Sequence, residues 1–208
     1  MSTPQRALIV IDVQNEYFDG QLPISYPPRE HTLPRILQAM DAANLAGIPV
    51  VLVRHITPVG SPIFADGSHG AALHPEIAAR PHQLLLDKQH ASCFTGTGLD
   101  AWLRERGIDT LTICGYMTHN CDASTIIHAS HDGYQVELLH DASGALPYRN
   151  AAGSASAEEI HRVYCTVMHT GFAAVAATGD WLAAVASGSA LAADNVYTSH
   201  LRATGKLD

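Results

Sequence analysis

Three side chains stand where runs of secondary structure end, and together they offer a nucleophile, a base and a balancing charge: Cys121, Asp12 and Lys88. Cys121 follows the β-branched run T-L-T-I-C-G at 110–115 and a turn through Tyr116, Met117, Thr118 and His119, where a helical pattern opens. A thiol there faces unpaired helix N–H groups and the positive end of the helix dipole. That environment predicts a pKa drawn from about 8.5 towards neutrality and a thiolate nucleophile. Asp12 closes the apolar run at 7–13, and Lys88 lies just beyond the run at 84–87. Ligands of open parallel sheets bind outside the carboxyl ends of the strands, so all three fall on one rim. Each has a structural use as well: the aspartate as a cap, the lysine as a solvated end, the cysteine as a small buried hydrophobe. Their shared edge is what favours chemistry.

The elements that would bring them there alternate along the chain. Segments 7–13 and 49–54 are continuous β-rich apolar runs, as in strands buried on both faces. Segments 84–87, 110–114 and 135–139 are shorter versions, and 173–177 is a weaker sixth. Amphipathic patterns lie between them at 30–46, 98–106, 120–131 and 155–169, with Gly47, Gly107 and Gly133 as stop signals. The expectation is an α/β fold: a single three-layer α/β/α domain over 1–208 with a mostly parallel, about six-stranded Rossmann-like sheet. The stretch 57–81, with four prolines and three glycines, reads as a functional loop. After Trp181 the chain is Ala- and Ser-rich, which predicts one more helix and then a loosely held terminus.

Composition excludes several classes. A net charge of −8 without a basic stripe argues against nucleic acid and anionic membranes as partners. No apolar run approaches the length of a membrane span. Residues 1–6 are polar and Asp12 cuts the first apolar run, so no signal peptide is expected. The four cysteines contain no C-x-x-C pair, which favours free thiols and a cytoplasmic location.

Four segments carry a family resemblance: A-L-I-V-I-D-V-Q-N-E-Y-F at 7–18, D-K-Q-H-A-S-C-F-T-G-T-G-L-D-A-W-L-R at 87–104, I-C-G-Y-M-T-H-N-C-D-A-S-T at 113–125 and H-D-G-Y-Q-V-E-L-L-H-D-A at 131–142. Taken in this order, the chain resembles the isochorismatase-like cysteine hydrolases, which include nicotinamidases and N-carbamoylsarcosine amidases. The resemblance implies a catalytic triad of Asp12, Lys88 and Cys121, with attack of Cys121 on a carbonyl and a thioester intermediate. It also implies a cis Tyr116–Met117 peptide and an oxyanion hole from the N–H groups of Met117 and Cys121. Tyr17 matches an aromatic position of the family and is expected to face the pocket, with core packing as its competing use. Tyr116 and His119 flank the turn and are the other candidates for substrate contact, whereas Gln14 reads as a loop brace and Phe94 as packing. The resemblance further implies a homodimer or homotetramer, in which a partner chain can complete the pocket, acting on a small-molecule substrate.

Departures from the family pattern narrow the chemistry. Nicotinamidases hold a divalent metal through an Asp-x-His pair after the second strand, and here that place reads R-H-I-T-P, with Arg54 in the way. His55, His69 and His74 remain as possible ligands, but their spacing does not favour a metal, and no cofactor is expected. Isochorismatases proper cleave a vinyl ether without a nucleophilic cysteine, so Cys121 favours an amide, carbamoyl or ureido C–N bond. The alternatives are a vinyl-ether hydrolase, a thiol redox protein with Cys114 as resolving partner, and a non-catalytic scaffold.

Overall fold

The computed structural model describes residues 3–207. Its centre is a six-stranded parallel sheet built from β1 (Arg6–Ile11), β2 (Val50–His55), β3 (Leu84–Lys88), β4 (Thr110–Tyr116), β5 (Gln135–Gly144) and β8 (Ala174–Ala176). The strands lie in the order β3-β2-β1-β4-β5-β8, so the direction of winding reverses between β1 and β4. That reversal opens a crevice at the carboxyl ends of these two strands, one of which leads to Asp12 and the other to Cys121.

Alternation along the strands divides the core in two. Ala7, Ile9 and Ile11 of β1, with Leu111 and Ile113 of β4, face a layer formed by α3 (Leu99–Glu105), α4 (Ala123–His131) and α5 (Ala157–Met168). Leu8, Val10 and Cys114 face the opposite layer, formed by α1 (Arg29–Leu45) and α6 (Thr178–Ser187). In α1 the buried residues Ile36, Ala39, Met40 and Ala43 recur at helical spacing and make one apolar stripe. Ser156 and Glu159 close a reciprocal capping box that starts α5, and Gly188, in the left-handed conformation, ends α6. The α/β architecture and the six-stranded sheet match the sequence expectation.

The buried face of the sheet is not wholly apolar. Arg6 and Glu137 form a buried ion pair at 2.8 Å across β1 and β5. Glu137 also accepts hydrogen bonds from Thr112 Oγ1 (2.7 Å) and Trp181 Nε1 (3.1 Å). This network ties three strands to α6 at the end of the sheet away from the crevice, and its charges are tolerated because each is paired.

Several elements depart from the sequence expectation. The predicted helix from 120 begins instead as a π-helical turn at Thr118–Asp122 and becomes α-helical only from Ala123. The last part of the chain holds two helices, α6 starting before Trp181 and α7 at Val196–Ala203. Within 57–81 a short helix, α2 (Pro75–Ala78), is started by Pro75. An antiparallel ribbon of β6 (Tyr148–Asn150) and β7 (Gly153–Ala155) follows β5. These strands are only three residues long, too short for alternation to show in the sequence. No helix among the described residues is long and apolar enough to cross a membrane.

Candidate active site

Asp12 leaves β1 with φ +52°, a left-handed conformation that an aspartate accepts more readily than most side chains. The same crossing requires glycine at 115, because a Cβ there would lie 2.1 Å from the Ile11 carbonyl oxygen. β1 and β4 therefore approach closely just before their carboxyl ends, and the chains that emerge carry Asp12 and Cys121. Lys88 comes from the edge strand β3, and its aliphatic stem runs buried beneath the end of β2 to reach them.

The three residues named from the sequence meet in one buried cluster. Lys88 Nζ lies 2.7 Å from Asp12 Oδ2 and donates to Cys121 Sγ at 3.2 Å. Asp12 is thus held by the Lys88 ammonium and lies beside the Cys121 thiol, whose proton it can take. His55, at the end of β2 opposite Lys88 in the strand register, places Nδ1 3.3 Å from Nζ. Sequence reading treated His55 only as a loop ligand. The parallel pairing of runs 49–54 and 84–87 was the signal that sets it beside the lysine.

Burial governs the electrostatics. It raises the Asp12 carboxyl above its ordinary range, and Lys88 offsets this only in part. Burial opposes the Lys88 charge, but Asp12 and Cys121 outweigh it and keep the ammonium protonated. The Cys121 thiol is pushed up, first by burial and then by the Asp12 charge, with Lys88 pulling the other way. This corrects the expectation of a thiol drawn towards neutrality by the helix end: dehydration inside the crevice outweighs the dipole. At rest the cluster holds an ammonium, a carboxylate and a protonated thiol, titrating as one unit.

The other candidates are placed differently. Tyr17 is buried against Phe64 and Tyr116, with ring centroids 5.2 and 5.4 Å away, so its ring packs in the core beneath the crevice. Tyr116 is fully buried and shares a 2.7 Å hydrogen bond with Thr32 of α1, which leaves its hydroxyl committed away from any substrate. The Tyr116 hydroxyl is thus withdrawn from the crevice, whereas Tyr17, whose pKa is raised by burial and then by the charges of Cys121 and Asp12, lies close to the catalytic cluster. His119 stays beside the nucleophile turn, edge-on to Tyr148 at 4.9 Å and to Tyr164 at 6.1 Å. Both its ring nitrogens are buried without a partner, and burial lowers its pKa to about 4, so the imidazole is neutral at physiological pH. The Tyr116–Met117 peptide is cis. Gln14 braces the loop through Nε2 to the carbonyls of His55 and Ala71, and Phe94 stacks on His128 in the core.

The three loop histidines separate. His69 pairs with the exposed Asp19 at 3.0 Å, and His74 accepts from Glu76 N at the start of α2 while packing on Phe18. Arg54 is held by both oxygens of Asp87 at 2.8 Å. Among the described residues one ligand group of metal-binding size occurs, formed by Asp12, His55 and Cys121 within 4.8 Å. Lys88 Nζ contacts all three members, so a positive charge already stands where a cation would sit. That group does not fit a metal. Cys114, the resolving cysteine a redox reading would need, is fully buried on the far face of β4.

The sequence reading missed Asp122. It follows the nucleophile, is fully buried, and has no well-aligned partner for either oxygen, although the Ser143 hydroxyl lies beside it. Burial raises its pKa to about 7, and Ser143 offsets little of the rise.

An isochorismatase domain model matches residues 6–180. The chain belongs to the isochorismatase family. A crystal structure of a candidate isochorismatase from Burkholderia xenovorans LB400 is 57% identical, with 99% of each chain covered and a TM-score of 0.97. A cysteine hydrolase from Pseudomonas syringae pv. phaseolicola 1448A is 26% identical, over 90% of this chain and 95% of its own, at a TM-score of 0.82. The ureidoacrylate amidohydrolase of Stutzerimonas stutzeri A1501 is 30% identical over 69% of this chain and 71% of its own length. The chain is thus an isochorismatase-family hydrolase in a group whose members include amidohydrolases.

Proposed function

We propose that this chain hydrolyses an amide, carbamoyl or ureido C–N bond of a small molecule through a thioester on Cys121. The observation that carries the reading is the buried contact of the Cys121 thiol with Lys88, itself paired with the Asp12 carboxylate that lies beside the same thiol. A scaffold has no physical use for such a cluster, since paired buried charges are at best neutral for stability. The cysteine hydrolase and amidohydrolase among its relatives support the same chemistry.

The steps follow from the charges at rest. As Cys121 Sγ adds to the substrate carbonyl carbon, its proton passes to Asp12, whose carboxyl burial has made more basic. The carbonyl oxygen becomes an oxyanion, for which the N–H groups of Met117 and Cys121 are the assigned donors. The C–N bond breaks as Asp12 gives its proton to the nitrogen, releasing ammonia or an amine and leaving the thioester. Water then adds to the thioester carbon while Asp12 takes its proton. The C–S bond breaks, and the sulfur recovers the proton from Asp12. Lys88 keeps the site positive enough for sulfur and carboxylate to carry charge in turn.

Ammonia release from a panel of small amides, carbamoyl compounds and ureides tests this reading. Wild type should release ammonia from at least one of them, and Cys121→Ala, folded by circular dichroism, should fall to the uncatalysed rate. Equal release by both proteins would contradict the assignment.

A further inference from the structure

A second pairing of a thiol with an imidazole lies outside the catalytic cluster. Cys165 and His161 stand one turn apart on α5 and share a face of it. Cys165 Sγ lies 3.6 Å from His161 Nε2, and His161 Nδ1 lies 2.9 Å from the hydroxyl of Thr118, which opens the nucleophile turn. Both side chains border a cavity of about 610 Å³, whose wall also includes His140 of β5 and His169 at the end of α5.

Protonation fixes the role of each atom. Burial lowers the His161 pKa to about 4 and pushes the Cys165 thiol up to about 12, so both are neutral at physiological pH. The thiol then donates to Nε2, which carries the lone pair of the ring, while Nδ1–H donates to Thr118. A zinc-class ion binds thiolate sulfur at about 2.3 Å and imidazole nitrogen at about 2.0–2.1 Å, which at the tetrahedral angle sets the two donors about 3.6 Å apart. That is the separation of this pair. A hydrogen bond from the remaining ring N–H to an oxygen is also what orients a ligating imidazole.

The rest of the cavity narrows the ligand set. His140 lines it from β5, and its charge bears on His161. It joins the pair only when its side chain turns, because no third donor lies within 4.8 Å of both in the present rotamers. His169 does not serve, since its Nδ1 accepts from Val175 N and its Nε2 therefore carries the proton. Asp141 is occupied by the backbone N–H and hydroxyl of Thr178. Arg162, also in the wall, is exposed, and its charge is felt by Glu159. Thiol and imidazole without a free carboxylate suit zinc-class ions over magnesium or calcium.

We infer that Cys165, His161 and His140 form a site for a thiophilic divalent cation, separate from the catalytic cluster. The ion takes the place of the proton between sulfur and Nε2: S–metal and N–metal bonds form, and the thiol proton leaves to solvent. Through His161 and Thr118 the ion braces the turn that carries Cys121.

Cobalt(II) tests this, because a cobalt–thiolate bond gives a charge-transfer band in the near ultraviolet. Cys121→Ala, which lacks the catalytic thiol, should bind one cobalt ion per chain with that band, and zinc should displace it. Adding Cys165→Ser should abolish the band in a protein still folded by circular dichroism, and adding His140→Gln should weaken binding several-fold. Zinc should also raise the thermal midpoint of Cys121→Ala but not that of the Cys165→Ser double variant. No band in Cys121→Ala, a band that survives Cys165→Ser, or an affinity unchanged by His140→Gln would each overturn the site. A band confined to protein that keeps Cys121 would place the ion on Asp12, His55 and Cys121 instead.

Discussion

Lys88→Met should lower kcat/KM by at least about 10³-fold, equivalent to about 4 kcal/mol of transition-state stabilisation. Nζ touches Asp12, Cys121 and His55 together, so its loss removes a positive charge in contact with both reacting groups. Asp12, whose carboxyl burial already raises, would then hold its proton and cease to act as a base. The same protonation limits the cost to the fold, because it removes the unpaired buried charge, and methionine fills much of the lysine's volume. A loss of about 2 kcal/mol in urea unfolding is expected, the price of leaving Asp12 without its partner. Parallel losses in turnover and stability would mean that Lys88 serves the fold and not the reaction.

Asp122→Asn should act on stability and pH together. Burial pushes the folded carboxyl up to about 7, from an ordinary aspartate value of 3.8. Between those values the folded state binds the extra proton, so the contribution of Asp122 to stability is complete below pH 4 and is lost as pH rises towards 7. The gap corresponds to about 4 kcal/mol, the energetic burden of holding this carboxylate ionised and buried at pH 8. Asparagine has nearly the same shape and no charge. The variant should therefore match wild type within about 1 kcal/mol near pH 4 and exceed it by about 4 kcal/mol at pH 8, read from urea unfolding at both values. A pH-independent difference would mean that Asp122 is ionised in the folded protein throughout.

Much of this architecture is written in patterns that act over short range. The runs at 7–13, 49–54 and 110–114 read as buried strands because both of their faces are apolar, and both of their faces are indeed covered. Asp12, Lys88 and Cys121 were legible because each stands at or beyond the end of such a run, where a parallel sheet presents its ligand edge. What was not legible depends on contacts made at a distance. Tyr116 looked outward from its turn until α1 supplied Thr32 for its hydroxyl. The thiol of Cys121 looked acidic from its helix position, because the dehydration that reverses the shift comes from strands and loops far along the chain. His55 joined the cluster through the register of β2 with β3, which only pairing reveals. The ribbon at 148–155 left no periodic trace, and yet it brings the Tyr148 hydroxyl to Met117 beside the nucleophile turn.

The central claim is a covalent one, and intact-protein mass spectrometry tests it directly. Wild-type protein mixed with a substrate from the hydrolysis panel and quenched in acid within milliseconds should gain the mass of the acyl group. Peptide mapping should place that mass on Cys121, and it should decay at the rate of acid formation. A full turnover in which Cys121 never carries the acyl mass, with the same ammonia release from Cys121→Ala, would contradict the thioester mechanism.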